Sequence, residues 1–222
     1  MTVRLVSVIG NSPGVGKSTL CRALAAALRA DGAVVDHFEE ADILAREAFR
    51  PVAEEFADGT GAVRPETLVA CVRAYVAEAA AAGTGVLVTD ALLPFVPSLV
   101  AWGHDEDTIA GVAEDLVRAV APAEVTVVYV HDDPGAALRR AVAREGAGWA
   151  EWYVAKLGSS PGTRHVRDLE SAAAHLRAET ELTLRVLART PWPTVPVDAG
   201  ELDAEAAFAH ARAQLARRPG HA

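Results

Sequence analysis

The sequence predicts an α/β fold around a mostly parallel sheet, and three observations carry that expectation. Short β-branched runs alternate with longer helical patterns, and a glycine loop joins the first strand directly to the first helix. Of 222 residues, 51% are apolar and 23% charged, which is enough hydrocarbon for a sizeable buried core. At this length one compact domain over residues 1–222 is expected.

The first strand is Val3–Ile9, followed by a helix from about Lys17 to Ala30 that Asp31-Gly32 closes, with Gly32 as the C-terminal cap. Ala33–Phe38 reads as the second strand, Ala41–Phe56 as helical, and Asp58-Gly59-Thr60-Gly61 as a loop. Pro65 opens a helix with Leu68, Val72, Tyr75, Val76 and Ala79 on one face. Gly85–Thr89 is a continuous apolar third strand ending at Asp90. A helix over about Asp107–Ala121 turns Ile109, Val112, Leu116 and Val120 inward, and Glu124–Val130 is the fourth strand. Asp133 caps the next helix, with Pro134 at its first position. Its glycines make Glu145–His165 the least regular stretch. A long helix from about Val166 to Arg189, a short strand Thr194–Asp198 and a helix Glu201–Arg217 complete the chain.

Charge and composition narrow the function classes. A net charge of −9 argues against a nucleic-acid groove, which needs a basic stripe to replace phosphate counterions. Cys21 and Cys71 belong to no Cys-x-x-Cys pair, so neither a disulfide framework nor a structural zinc site is expected. Met1–Ile9 is apolar but short and runs into a glycine turn, and no stretch is long enough to span a bilayer. A cytoplasmic protein without membrane partners is the expectation.

The strongest chemical signal is Gly10-Asn-Ser-Pro-Gly-Val-Gly-Lys-Ser-Thr19, placed between a strand and a helix. Residues Asn11, Ser12, Pro13, Gly14, Val15, Gly16, Lys17, Ser18 and Thr19 form a P-loop pattern for ATP. Loop amides and the helix N-terminus converge on phosphate, and Gly14 and Gly16 permit the close backbone approach. Lys17 would reach the β- and γ-phosphates, and the Ser18 hydroxyl would bind Mg²⁺. Asn11 stands where the pattern has its first glycine, and asparagine tolerates left-handed backbone angles.

Asp90, at the end of a Val-Leu-Val strand, takes the position of a Walker B-like acid that holds Mg²⁺ or orients substrate; a strand-end cap is the plain alternative. The guanine-reading Asn-Lys-x-Asp of GTPases is excluded, because Asn11 is the single asparagine. No Leu-Ser-Gly-Gly transporter signature is present. After the fourth strand, Arg140 and Arg144 stand at i, i+4 on the helix side away from Leu138 and Val142.

Together these features resemble the deoxynucleoside and thymidylate kinase superfamily of P-loop small-molecule kinases, over almost the whole chain. The likeness rests on the glycine loop, carboxylates after the second strand, the acidic end of the third, the Arg-x-x-x-Arg helix and the late Val197-Asp198-Ala199. The resemblance implies a three-layer P-loop domain with a five-stranded parallel sheet and a helical lid over about 134–165. It implies phosphoryl transfer to a small-molecule acceptor, with Arg140 and Arg144 closing over the transferring group. By the same likeness the base that orients the acceptor is Glu39, with Asp36 next; Glu40 and Asp42 fit acids favoured by a helix N-terminus. The reading leaves room for a homodimer.

The chain departs from the pattern at Asp90-Ala91, where these kinases carry Glu-Arg-Ser or Asp-Arg. The next stretch, Leu92–Trp102, is apolar and twice broken by proline, a candidate acceptor-pocket wall or plain core packing. Trp149, Trp152 and Tyr153 either cover a substrate or anchor the lid, and His104 and His131 read as loop and strand-end residues. The acceptor is left unidentified. Sugar, antibiotic and other metabolite kinases stand as alternatives, as does a regulatory P-loop NTPase acting on a protein partner.

Overall fold

A computed structural model describes residues 2–57, 61–90 and 92–217. It is an α/β fold with a five-stranded, all-parallel sheet. The strands are β1 (Val3–Gly10), β2 (Val35–Phe38), β3 (Val86–Thr89), β4 (Ala123–His131) and β5 (Thr194–Asp198). Their order across the sheet is β2-β3-β1-β4-β5, so β1 is central. Its register pairs Leu5 with Leu87 of β3 and with Val125 of β4. A strand buried on both faces needs a continuous apolar run, and Leu5, Val6 and Val8 meet that demand at 2% exposure or less.

Among the described residues nine α-helices flank the sheet: α1 (Lys17–Ala30), α2 (Arg50–Glu55), α3 (Pro65–Ala81), α4 (Val96–Ala101), α5 (Glu106–Ala119), α6 (Pro134–Glu145), α7 (Ala147–Gly158), α8 (Leu169–Ala188) and α9 (Ala204–Ala216). One face packs α1 and α9 through Leu20, Leu24, Ala211 and Leu215. The other packs α3, α5 and part of α8 through Leu68, Val72, Ile109, Leu116 and Leu187. A third cluster, with Leu138, Tyr153 and Leu176, joins α6, α7 and α8. No helix among the described residues is long and apolar enough to cross a membrane.

Several elements differ from the sequence expectation, each for a tertiary reason. Ala41–Phe56 is not one helix but two 3₁₀ turns, Glu40–Ala45 and Glu47–Phe49, followed by α2. The break is Arg46, extended at φ −81°, ψ 133°. Its guanidinium returns to β2, donating to both carboxylate oxygens of Asp36 at 2.9 Å and to the His37 carbonyl at 3.0 Å. Glu145–His165 is more regular than expected. It holds α7, entered through Gly146 at φ 91° and anchored by Tyr153, which packs with Leu138 of α6 and Leu176 of α8. Leu92–Trp102 contains α4. The predicted loop at Asp58-Gly59-Thr60-Gly61, apart from Gly61, lies outside the described residues, as does Ala91.

The Asp36–Arg46 pair therefore shapes the chain after β2. Tyr75 from α3 adds a third bond, its hydroxyl donating to Asp36 Oδ2 at 2.8 Å. Burial pushes the Asp36 carboxyl up, but the Arg46 and Tyr75 hydrogen bonds overcome it and hold it below the ordinary value. A carboxyl lowered in the folded state adds stability above its unfolded value of about 4, and that contribution is lost as pH falls through the folded value. Asp36→Asn is expected to cost about 1–3 kcal/mol at pH 7 in urea unfolding, a difference that shrinks as both proteins are taken toward pH 2.

Candidate functional site

The strands deliver their C-terminal ends to one edge of the sheet, and the chemistry-bearing residues gather there. Gly10 leads from β1 into the loop that begins α1, Glu39 and Glu40 follow β2, Asp90 follows β3, and Asp132 follows β4. The loop is compact. A Cβ on Gly10 would sit 2.8 Å from Val15 Cγ2, and Gly14 and Gly16 adopt φ of 82° and 91°, which disfavour any side chain.

Asp90 organises the inner side of the loop. It is 4% exposed, and its Oδ2 accepts the Ser18 hydroxyl at 2.6 Å while its Oδ1 accepts the Glu40 backbone N–H at 2.7 Å. Lys17 Nζ donates to the Asp90 carbonyl at 3.3 Å and lies 3.7 Å from Oδ2. A second carboxylate, Glu40 Oε2, stands 3.2 Å from Lys17 Nζ with most of its side chain in solvent. Glu39 turns toward α1, where Arg22 Nη1 donates to its two oxygens at 2.9 and 3.2 Å and so fixes its rotamer. Cys21, beneath this group, is pushed up to about 12 by burial and by the nearby Asp90 and Glu39 charges, so it is an unreactive packing thiol.

Lys17, Ser18, Glu39 and Asp90 thus come together, and Glu40 joins them, although its place after a strand reads in sequence as an ordinary helix-start acid. Asp42 does act as such an acid, accepting the Glu39 N–H at 3.2 Å. Asp36 does not reach the site: it is engaged by Arg46 and Tyr75 and does not line the adjoining cavity. That cavity, about 660 Å³, opens beside Lys17, Ser18 and Asp90. Leu92, Leu93, Phe95 and Trp102 form one wall of it, and the same leucines pack into the core. Ser7 ties the wall to β1, its hydroxyl accepting the Leu93 N–H at 3.2 Å.

Arg140 and Arg144 lie on the outer side of the loop and neither lines the large cavity. Arg140 pairs with the nearly buried Asp132 and borders a separate 220 Å³ cavity shared with Gly14, Val15, Gly16, Thr19 and Leu202. Arg144 bonds Glu145 at 2.7 Å, and its Nη1 lies 3.9 Å from where a Cβ on Gly14 would stand. Trp149 and Tyr153 anchor α7, whereas Trp152 is 55% exposed. His104 sits in a loop, and His131 stacks on Tyr129 at the end of β4.

Asn11 requires a correction. It is not in the left-handed region, where Phe95 is the one non-glycine among the described residues. It is 6% exposed and clamps the loop to the end of β4, with Nδ2 donating to the Asp132 carbonyl at 2.9 Å and the backbone N–H donating to Val130 O at 3.2 Å.

No protein-family model and no curated protein matches this chain, so the roles of these residues rest on their own geometry. That geometry makes Asn11 more than a tolerated substitute. Asn11→Gly, which restores the usual glycine pattern, is expected to destabilise the fold by about 1–2 kcal/mol in urea unfolding, through the lost bonds to Asp132 and the added backbone freedom.

Proposed function

We propose that the chain is an ATP-dependent phosphotransferase whose Asn11–Thr19 loop is a P-loop and whose acceptor is a small molecule. The observation that carries this reading is the buried Asp90 carboxylate on the Ser18 hydroxyl at 2.6 Å, with Lys17 Nζ 3.7 Å away, at the start of a helix. The loop amides and the N-terminal end of α1 attract the anionic phosphates. Lys17, now held by the solvent-facing Glu40, exchanges that partner for phosphate oxygens at small cost, because an exposed ion pair is weak.

The donor set fits Mg²⁺. Ser18 and Asp90 present two hard oxygens side by side, and Mg²⁺ keeps several waters and takes its other ligands from phosphate rather than from a protein cage. When bound, the metal neutralises charge on the phosphates. Glu39, facing the cavity, takes the acceptor proton, and Arg22 steadies it. The 220 Å³ cavity beside Arg140 is of a size for the nucleotide base. Arg140 and Arg144 stand on that side of the loop, where their charge would face donor phosphates held by it. The 660 Å³ cavity falls within the usual range for small-molecule sites, which favours a small acceptor over a protein partner.

Lys17→Ala is expected to abolish the thermal stabilisation that a non-hydrolysable ATP analogue with Mg²⁺ gives the wild type, about 2.7 kcal/mol at a hundredfold excess over Kd. Retained stabilisation in that variant removes the nucleotide assignment. With an acceptor in hand, Glu39→Gln should lower kcat roughly 10²–10⁴-fold while leaving analogue binding intact. A variant with wild-type kcat rules Glu39 out as the base.

A further inference from the structure

Charge is unevenly distributed around the 660 Å³ cavity. Among its described lining residues Lys17 is the one cation, while Glu39, Glu40 and Asp90 place three carboxylates at the same end. Lys17 is already shared between Glu40 and Asp90. Arg22 and Arg46, bonded to Glu39 and Asp36, do not line the cavity. Asp58, Gly59, Thr60 and Ala91, which lie outside the described residues, carry no cationic side chain.

Away from the loop the lining is hydrocarbon, including Val52, Val63, Leu68, Leu92 and Leu93. Leu44 and Phe56 line the cavity and are also 45% and 47% exposed, so its mouth is apolar as well. Half-exposed apolar side chains at a cavity mouth offer hydrocarbon that an apolar ligand would bury. Away from the loop, the neutral polar side-chain groups on the described lining are the hydroxyls of Ser98 and Thr183 and the indole N–H of Trp102.

Away from the loop amides, an anionic group on the acceptor would need cationic donors of its own, commonly an arginine fork. A second anion here would lose its hydration against hydrocarbon and face three carboxylates. A free sugar fares little better, since most of its hydroxyls would be left without partners. We infer that the cavity takes an uncharged alcohol with an apolar or aromatic body, and that it rejects phosphorylated or carboxylated acceptors such as nucleoside monophosphates.

The fate of that hydroxyl rests on the phosphotransferase reading. The acceptor O–H gives its proton to Glu39 as its oxygen bonds the γ-phosphorus, and the bond from that phosphorus to the β–γ bridging oxygen breaks, releasing ADP. The selectivity of the cavity does not depend on that step.

The test is isothermal titration calorimetry on the full chain, without nucleotide but in excess inorganic phosphate that competes for the glycine loop, using pairs that differ in one anionic group. The pairs are 2-phenylethanol and 2-phenylethyl phosphate, thymidine and thymidine 5′-monophosphate, and indole-3-ethanol and indole-3-acetate. The uncharged member of each pair is expected to bind at least tenfold more tightly. Equal or tighter binding of the charged member in any pair, or no binding by any of the six compounds, overturns the inference. Leu44→Asp, at the exposed mouth, should weaken the uncharged ligands at least fivefold with an unchanged Tm; unaltered affinity counts against the apolar mouth. Binding of the ATP analogue with Mg²⁺ is measured separately. Its absence removes the phosphotransferase reading, while the pair preference still decides the chemistry of the cavity.

Discussion

The buried carboxylate of Asp90 is the constraint around which the site is arranged. An ionised carboxylate withdrawn from water costs several kcal/mol unless its lone pairs are taken up. Here the Ser18 hydroxyl and the Glu40 backbone N–H take them, with Lys17 beside them. Meeting that demand joins three separate pieces of chain: the start of α1, the end of β3 and the turn after β2. It also holds the backbone between Glu39 and Glu40, from which Arg22 and Lys17 draw the two side chains.

The glycine loop has two sides with different surroundings. On the inner side are the carboxylates and the apolar cavity; on the outer side are Arg140, Arg144 and the smaller cavity. Asn11 fastens the loop to the end of β4, immediately before Asp133 caps α6 by accepting the Ala136 N–H at 2.8 Å. The far end of the 134–165 segment is fastened too. A Cβ on Gly162 would stand 1.7 Å from Val100 O, so only glycine lets this turn lie against α4 and the cavity wall. Under the proposed activity, the donor side and the acceptor wall are thereby linked through one segment.

Much of the frame was legible because its causes are local. Gly32 at φ 89° ends α1 where a glycine was expected to, and Asp133-Pro134 starts α6 as a cap and first-turn proline do. Arg46 shows the limit. Its helical neighbourhood predicts a helix, but a bidentate bond to Asp36, ten residues back, outweighs that local preference. Glu40 shows another limit: nothing in its neighbours distinguishes a helix-start acid from a partner of Lys17, 23 residues away.

By itself the sequence determined the parallel α/β frame, the strand–loop–helix at Val3–Ala30 and the gathering of acids after β2 and β3. These depend on hydrophobic period, glycine conformation and capping, which act within a few residues. The sequence also set Ser18 and Asp90 as joint metal-ligand candidates; tertiary structure alone decided that Asn11 meets Asp132 across 121 residues and that Asp36 is drawn out of the site. It alone decided the sign and polarity of the cavity. Such contacts depend on where the sheet order brings strand ends together, and no local pattern encodes that distance.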